Sequence, residues 1–301
     1  MRSLFFGGRE LNLDMLSQVL ITGIINCAIY AIMAVGLTLV YGSTRILNFA
    51  HGSLFSWGAY LAWFFSVGYF RLNYVITVAL TIFIMFFVGL FFERVVSRPL
   101  RRYPDWQTNI IIVTLGAALF MDNLALVVFG PRTKRIPRLL EGSVGIGNVV
   151  VDRHDIVIVI TAAAILFLLG ALLKKTWYGM AVRAVAQDSS GAQIVGLHMD
   201  RVFSYTFGIS AVLAGISGIL LGPKTLIFPS VGWEVFAKAF VIVVLGGLGS
   251  VKGTLYAAII MGMVEVFVTD ILGAVWALPI FIGVLLLVLI VRPKGLFGTW
   301  E

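Results

Sequence analysis

Two carboxylates stand alone in long apolar surroundings, Asp122 beside Asn123 and Glu265 in the run Gly262-Met-Val-Glu265-Val-Phe-Val268. A carboxylate at membrane depth is costly to ionise, so such a group either carries a proton or cation or bonds across to another helix. An ion-coupled carrier would need the first; structural glue between spans would be the second. Three histidines, His51, His154 and His198, lie in separate segments with no His-x-x-x-His pair, no cysteine cluster and no serine elbow. A membrane enzyme therefore has little to work with.

Two breaks offer a different chemistry. In residues 42–53, Arg45, Asn48 and His51 recur every third position within an otherwise apolar stretch and lead into Gly52. Polar groups there must face protein, water or an interface rather than lipid. The segment reads either as a broken helix lining a translocation path or as a short turn with a snorkelling Arg45 and a capping Asn48. In residues 245–253, Gly246, Gly247 and Gly249 let the backbone leave helical geometry and approach a neighbour or a permeant molecule. The alternative is a tight helix–helix turn. Lys252 precedes Gly253 here, so the order required for a phosphate-binding P-loop is missing. A faint echo links residues 51–55 with 252–256, as in transporters whose two related halves carry paired broken segments.

The elements that must hold these residues are membrane spans. Of 301 residues, 60% are hydrophobic and 12% charged, with mean hydropathy +1.03, which a soluble core of this length could not hide. Apolar runs at 16–41, 49–70, 74–92, 108–129, 156–173, 202–221, 236–248, 255–271 and 275–291 predict eight or nine transmembrane helices, the 236–248 run being short for a crossing of about 20 residues. Period-two alternation is absent, so the expected fold is all-α, a polytopic bundle forming one domain over 1–301. The first run is too long for a signal peptide. Cys27, inside a span, is read as a small buried hydrophobe. The charge of +8 sits in loops and reads as a topology signal, which makes nucleic acid an improbable partner and leaves lipid as the surrounding one.

Arg94, Arg98, Arg101 and Arg102 place the 93–105 loop in the cytoplasm by the positive-inside rule, and two spans later the polar stretch 174–201 follows it there. The connector 130–155 is then external despite Arg132, Lys134, Arg135, Arg138 and Arg153. The N-terminus comes out external against its Arg2 and Arg9, and the C-terminus is cytoplasmic only if the 236–248 run crosses. Ser210, Ala214, Gly218 and Gly222 put a small residue at every fourth position of one helix face, a stripe for close packing against a span of this chain or a partner.

Several motifs together resemble a known family. Gly36-Leu-Thr-Leu-Val-Tyr-Gly42, Arg45-Ile-Leu-Asn-Phe-Ala-His-Gly52, Gly58-Ala-Tyr60, Arg183-Ala-Val-Ala-Gln-Asp188, Asp200-Arg-Val202, Val244-Leu-Gly-Gly-Leu-Gly-Ser250 and Arg292-Pro-Lys-Gly-Leu-Phe-Gly298 are similar to the permeases of branched-chain amino acid ABC importers, of the LivH type. The resemblance implies a type II-like importer fold with broken or re-entrant segments in the inner membrane of a bacterium or archaeon. It implies a second permease of the LivM type, two cytoplasmic ATPases that bind ATP and Mg, an extracytoplasmic substrate-binding protein, and no cofactor in this chain. Arg183, Asp188, Gly191, Ala192, Gly196 and Asp200 would then mark the ATPase-coupling loop, with a short coupling helix between Asp188 and Gly196. The sequence Gly191-Ala-Gln193 replaces the general importer Glu-Ala-Ala pattern, so the docking residue is left open. Asn48, His51, Gly52, Gly246, Gly247 and Gly249 would lie on the path. Branched-chain or other neutral hydrophobic amino acids lead as cargo, with urea, amides or aromatic acids as alternatives within the same family.

Overall fold

The structure, a computed structural model, describes residues 5–6, 9–10, 13–146 and 149–297; Arg2 and Gly298 lie outside them. It is a helical bundle. Among the described residues eleven α-helices of six residues or more run in order: α1 (Leu13–Thr44), α2 (His51–Trp63), α3 (Tyr74–Phe92), α4 (Trp106–Phe129), α5 (Arg153–Lys175), α6 (Trp177–Gln187), α7 (Ser189–Ile194), α8 (Met199–Leu221), α9 (Val231–Gly246), α10 (Val251–Ile271) and α11 (Ala277–Val291). A small antiparallel hairpin, β1 (Ser143–Ile146) with β2 (Val149–Asp152), and a two-residue pairing of Phe5–Phe6 with Arg9–Glu10 are the strands among the described residues. Seven helices, counting α3 through to Leu100 and α11 from Ala274, are long and apolar enough to cross a membrane. The two shorter apolar helices, α2 and α9, are mostly buried among the others.

Local chemistry sets the helix starts. Asn73 accepts from the Val75 amide at the head of α3, Thr176 from Gly179 in α6, Asp188 from Ser190 in α7 and Ser250 from Gly253 in α10. Close approach needs glycine at the crossings. A Cβ on Gly58 would meet the Gly215 backbone, and one on Gly89 the Phe207 carbonyl, so α2 and α3 both press onto α8.

The hydrogen bonds fix which helix ends share a side. At one end Lys134 and Ile227 exchange backbone hydrogen bonds of 2.9 and 3.0 Å, and the Lys134 ammonium sits 4.6 Å over the Trp63 ring. At the other, the Leu296 and Phe297 amides bond the carbonyls of Leu245 and Gly246, and Arg45 donates to the Ala186 carbonyl at 2.9 Å. The segment from Ile227 to Gly246 connects the two ends, so it runs the depth of the bundle, where the sequence left open whether the short 236–248 run crosses or re-enters. The end holding Arg98, Arg101, Lys174, Lys175 and Lys294 is the one that the positive-inside rule assigns to the cytoplasm.

Two crossings begin inside the bundle instead of at its surface. Along α2, the Phe49 amide donates to Thr114, Ser53 to Asp122 at 2.7 Å and to the Ala118 carbonyl at 3.1 Å, and Tyr60 stacks on Phe129 at 4.5 Å. Ala118 is 12 residues into α4, about 18 Å along its axis, so residues 45–50 climb back into the bundle before α2 starts. The run from 49 to 70 that the sequence suggested is helical from His51 to Gly68, α2 passing into a wider turn at Phe64–Gly68, but it starts within the bundle. The start of α9 lies at the same depth, because the Gly232 amide donates to Ser56 at 3.0 Å and the Trp233 indole to Asp122 at 2.6 Å.

Candidate functional site

The two breaks come together at the basic end of the bundle. Arg45, with φ +57°, ends α1, and Gly247 and Gly249, with φ +101° and +85°, end α9; Gly42 and Gly249 touch across the gap. A Cβ on Gly246 would come within 2.6 Å of the Gly253 carbonyl oxygen, and one on Gly295 within 2.7 Å of the Gly247 amide. Neighbouring backbone therefore occupies the space that these glycines leave. Each break feeds a new helix, α2 after the first and α10 after the second, which is the arrangement that the echo between 51–55 and 252–256 describes.

His51 and Asn48 are buried behind this turn. The His51 ring is held between the Met33 carbonyl, 3.0 Å from Nε2, and the Ser210 hydroxyl, 3.3 Å from Nδ1; this pairing fits a neutral ring with its proton on Nε2. Asn48 accepts from the Ala50 amide through Oδ1, and its buried Nδ2 has no hydrogen-bond partner among the described residues. Gly52 packs against Gly232 and Phe236. The stripe on α8 faces the same helix: Ser210 touches His51, a Cβ on Gly218 would meet the Phe55 carbonyl, Ala214 is fully buried, and Gly222 lies under Ile136.

Asp122 and Glu265 occupy separate places. Asp122 accepts from both Ser53 and Trp233 and so ties α2, α4 and α9 together, with no cation against it among the described residues. Glu265 accepts from Lys238 at 2.7 Å and from Asn26 at 3.5 Å; Lys238 also reaches Glu234, one turn earlier on α9, at 2.8 Å. Lys238 and Glu234 escaped the sequence reading, although Glu-x-x-x-Lys on an apolar helix was there to be noticed. An Asp122→Asn variant keeps the shape but can accept from only one of the two donors. We expect it to lose about 1–3 kcal/mol of stability and still support uptake, measured as the unfolding temperature of the purified protein and as import by the assembled transporter.

At the basic end the polar stretch folds into α6 and α7. Asp188 caps α7, and a Cβ on Gly191 would stand 2.6 Å from its Oδ2, so the cap requires a glycine there. Ala192 is buried against Val182, Val185, Met199 and Phe203. Gly196, with φ +87°, ends α7 with the Leu197 amide on the Ala192 carbonyl, an αL stop. Ile194 and Val195, at the tip, are 86% and 77% exposed, the most exposed apolar pair on this face and one that the sequence reading passed over. Arg183 is exposed on α6 and lines a 530 Å³ cleft with Arg45, Gln187, Gly249 and Lys294.

Asp200 faces inward to a network. It pairs with Arg98 and Arg101; Arg101 also pairs with the fully buried Glu93 and lies 4.5 Å over the Phe203 ring, and Ser204 donates to Glu93. A turn of wider helix at Glu93–Ser97 swings Glu93 into this position. Nearby, burial pushes the Tyr178 hydroxyl up to about 12, so it stays neutral while bonded to Thr206 at 2.8 Å. The α3–α4 turn, the start of α8 and the α6–α7 pair are thereby fastened into one platform at the basic end of the bundle.

Comparison with known proteins shows the family of the chain. The chain is 31% identical over 297 residues to the high-affinity branched-chain amino acid transport system permease protein BraD of Pseudomonas aeruginosa, covering 94% of this chain and 96% of that one. It is 29% identical over 300 residues to LivH of Escherichia coli, with the same coverage, and 27% identical over 305 residues to a probable LivH of Methanocaldococcus jannaschii, covering 96% and 95%. The family model described as branched-chain amino acid transport system / permease component matches residues 19–290. With that match spanning nearly all of the crossing helices, this multi-pass membrane chain belongs to the branched-chain amino acid transport permease family, a transport subunit and not an enzyme.

Proposed function

We propose that this chain is one membrane half of an ATP-driven importer for branched-chain amino acids, a single permease domain over 1–301 in the inner membrane. The reading rests on one observation above the others: a capped helix of six residues with an exposed Ile194–Val195 tip, carried on a platform fastened by Glu93, Arg101 and Asp200. A cytoplasmic ATPase gripping that tip would move the platform, and through α3 and α8 it would move the bundle. Arg183, Asp188, Gly191, Ala192, Gly196 and Asp200 take structural parts in this coupling segment, with the docking face supplied by the tip. ATP and Mg belong to two partner ATPases, a second permease of the LivM type completes the path, and an extracytoplasmic binding protein delivers cargo. Asn48, His51, Gly52, Gly246, Gly247 and Gly249 back the wall of the path, which the exposed side of α9 lines.

The test is reconstitution with the partner subunits in liposomes. ATP-dependent leucine import is expected from the complete assembly and none from this chain alone. Replacing Ile194 and Val195 together with aspartate should lower import at least tenfold, because two carboxylates would have to be buried unpaired in the docking groove. Gradient-driven uptake by the isolated chain, or full import by the double aspartate variant, would overturn the reading.

A further inference from the structure

One charged group lies where neither lipid nor the mechanism above accounts for it. Most of α9 is buried, but a single stripe stays open from its outer start to its cytoplasmic end, formed by Trp233, Glu234, Ala237, Phe240, Val244 and Leu248. Glu234 is the charged member, and its side chain is 68% exposed. The neighbouring Trp233 bonds Asp122, which is seven residues short of the outer end of α4, so Glu234 stands about 10 Å below that end. A carboxylate open at that depth cannot face acyl chains.

Its pairing is incomplete as well. Lys238, only 9% exposed, is shared by Glu234 and Glu265, so two carboxylates divide one ammonium. Glu265 takes a further donor from Asn26, and the Tyr30 ring lies 5.8 Å from the Lys238 ammonium. Among the described residues Glu234 has Lys238 alone. The cluster thus carries a net negative charge, and the surplus points into the open stripe. Beside it are aromatic faces: Trp233 touches Phe236 at 6.2 Å between centroids, and Phe236 stacks on Phe240 at 6.4 Å.

We infer that Glu234, held by Lys238 and Glu265, is a recognition site for the ammonium group of a zwitterionic amino acid in a water-filled path, with Trp233 and Phe240 receiving its apolar side chain. The inference rests on the importer reading above and deepens it. A primary ammonium supplies the positive charge that the cluster lacks, and an aromatic wall suits an aliphatic side chain without fixing its shape. An uncharged cargo such as a sugar would leave the carboxylate unanswered.

The experiment uses the complete transporter in liposomes. Glu234→Gln should lower the maximal rate of leucine import at least tenfold, while Glu234→Asp keeps it within threefold. The Glu234→Cys variant should react with a charged, water-borne thiol reagent added from the outside, and leucine with its binding protein should slow that reaction. Wild-type protein, whose single Cys27 is buried, is the control. If the wild-type assembly imports leucine and the Gln variant does so at the same rate, the inference falls. A Glu234→Cys variant that never reacts would instead show the stripe sealed against the second permease, and also overturns it. A wild-type assembly that imports no branched-chain amino acid fails the substrate reading itself, whatever the variants do.

Discussion

Gly232→Val is expected to leave almost no folded protein. Gly232 and Gly52 are each the second residue of their helix, and at this point α9 and α2 touch backbone to backbone. A Cβ on Gly232 would strike the Gly52 carbonyl and stand 2.8 Å from the Ser56 oxygen that accepts the Gly232 amide. The Gly52 carbonyl is backbone, and the Ser56 hydroxyl can turn away only by giving up its bond to the Gly232 amide. To admit valine the helices must part, and parting them breaks that hydrogen bond, pulls Trp233 from Asp122 and opens the Phe49–Phe236 contact of 5.5 Å. Forced overpacking alone costs about 1–3 kcal/mol, and the lost polar contacts add to it in a place where water cannot replace them. Gly116→Val and Gly170→Val are the controls, because a Cβ at either position meets nothing within 4 Å. In detergent extracts the controls should elute as a single folded species at near wild-type yield, with the Gly232 variant below a tenth of it. A Gly232 variant that matches the controls would mean that α2 and α9 do not cross here.

What could be read in advance follows the range of the interactions. The long apolar runs of α1, α3, α4, α5 and α8 were legible by their length, whereas the Asp188 cap and the Gly196 stop of α7, although local, entered only as the bounds of a short helix that the resemblance implied. The beginning of α9 was not legible. Its first turn holds Glu234, ahead of the 236–248 run, and nothing local shows that Lys238 inside that run is answered by Glu265, 27 residues further on. The same limit applies at the breaks. Arg45, Asn48 and His51 stand out in an apolar stretch, but only the fold shows His51 spanning Met33 and Ser210, residues from two other helices, and Arg45 at the bundle's end against Ala186. Glycines mislead for a related reason. Gly246 and Gly253 are mutually required, and a sequence shows each as freedom when the packed chain uses both as closeness.

The pair Lys238–Glu265 gives the other large effect, and it separates structure from recognition within one cluster. Glu265→Leu removes a carboxylate that is 9% exposed and leaves Lys238 buried with Glu234 alone, which itself looks into the open stripe. Breaking a buried pair from one side costs about 3–5 kcal/mol, and the ammonium has no lipid-side escape at this depth. A sharp fall in unfolding temperature is expected, together with loss of import. Adding Lys238→Met to that variant removes the stranded charge and puts an apolar chain of similar length beside the Tyr30 ring. Replacing a whole buried pair by apolar groups is often close to neutral, so the double variant should regain at least half of the lost stability. Import should not return with it, because Glu234 would then lack the lysine that holds it in place. Strict additivity of the two substitutions would show that Lys238 and Glu265 do not act as a pair. Recovery of both stability and import would show that the pair is scaffolding and that Glu234 works without it. Stability restored without transport is the outcome that the geometry supports, since α9 and α10 need only their charges cancelled whereas the path needs a carboxylate held in the open.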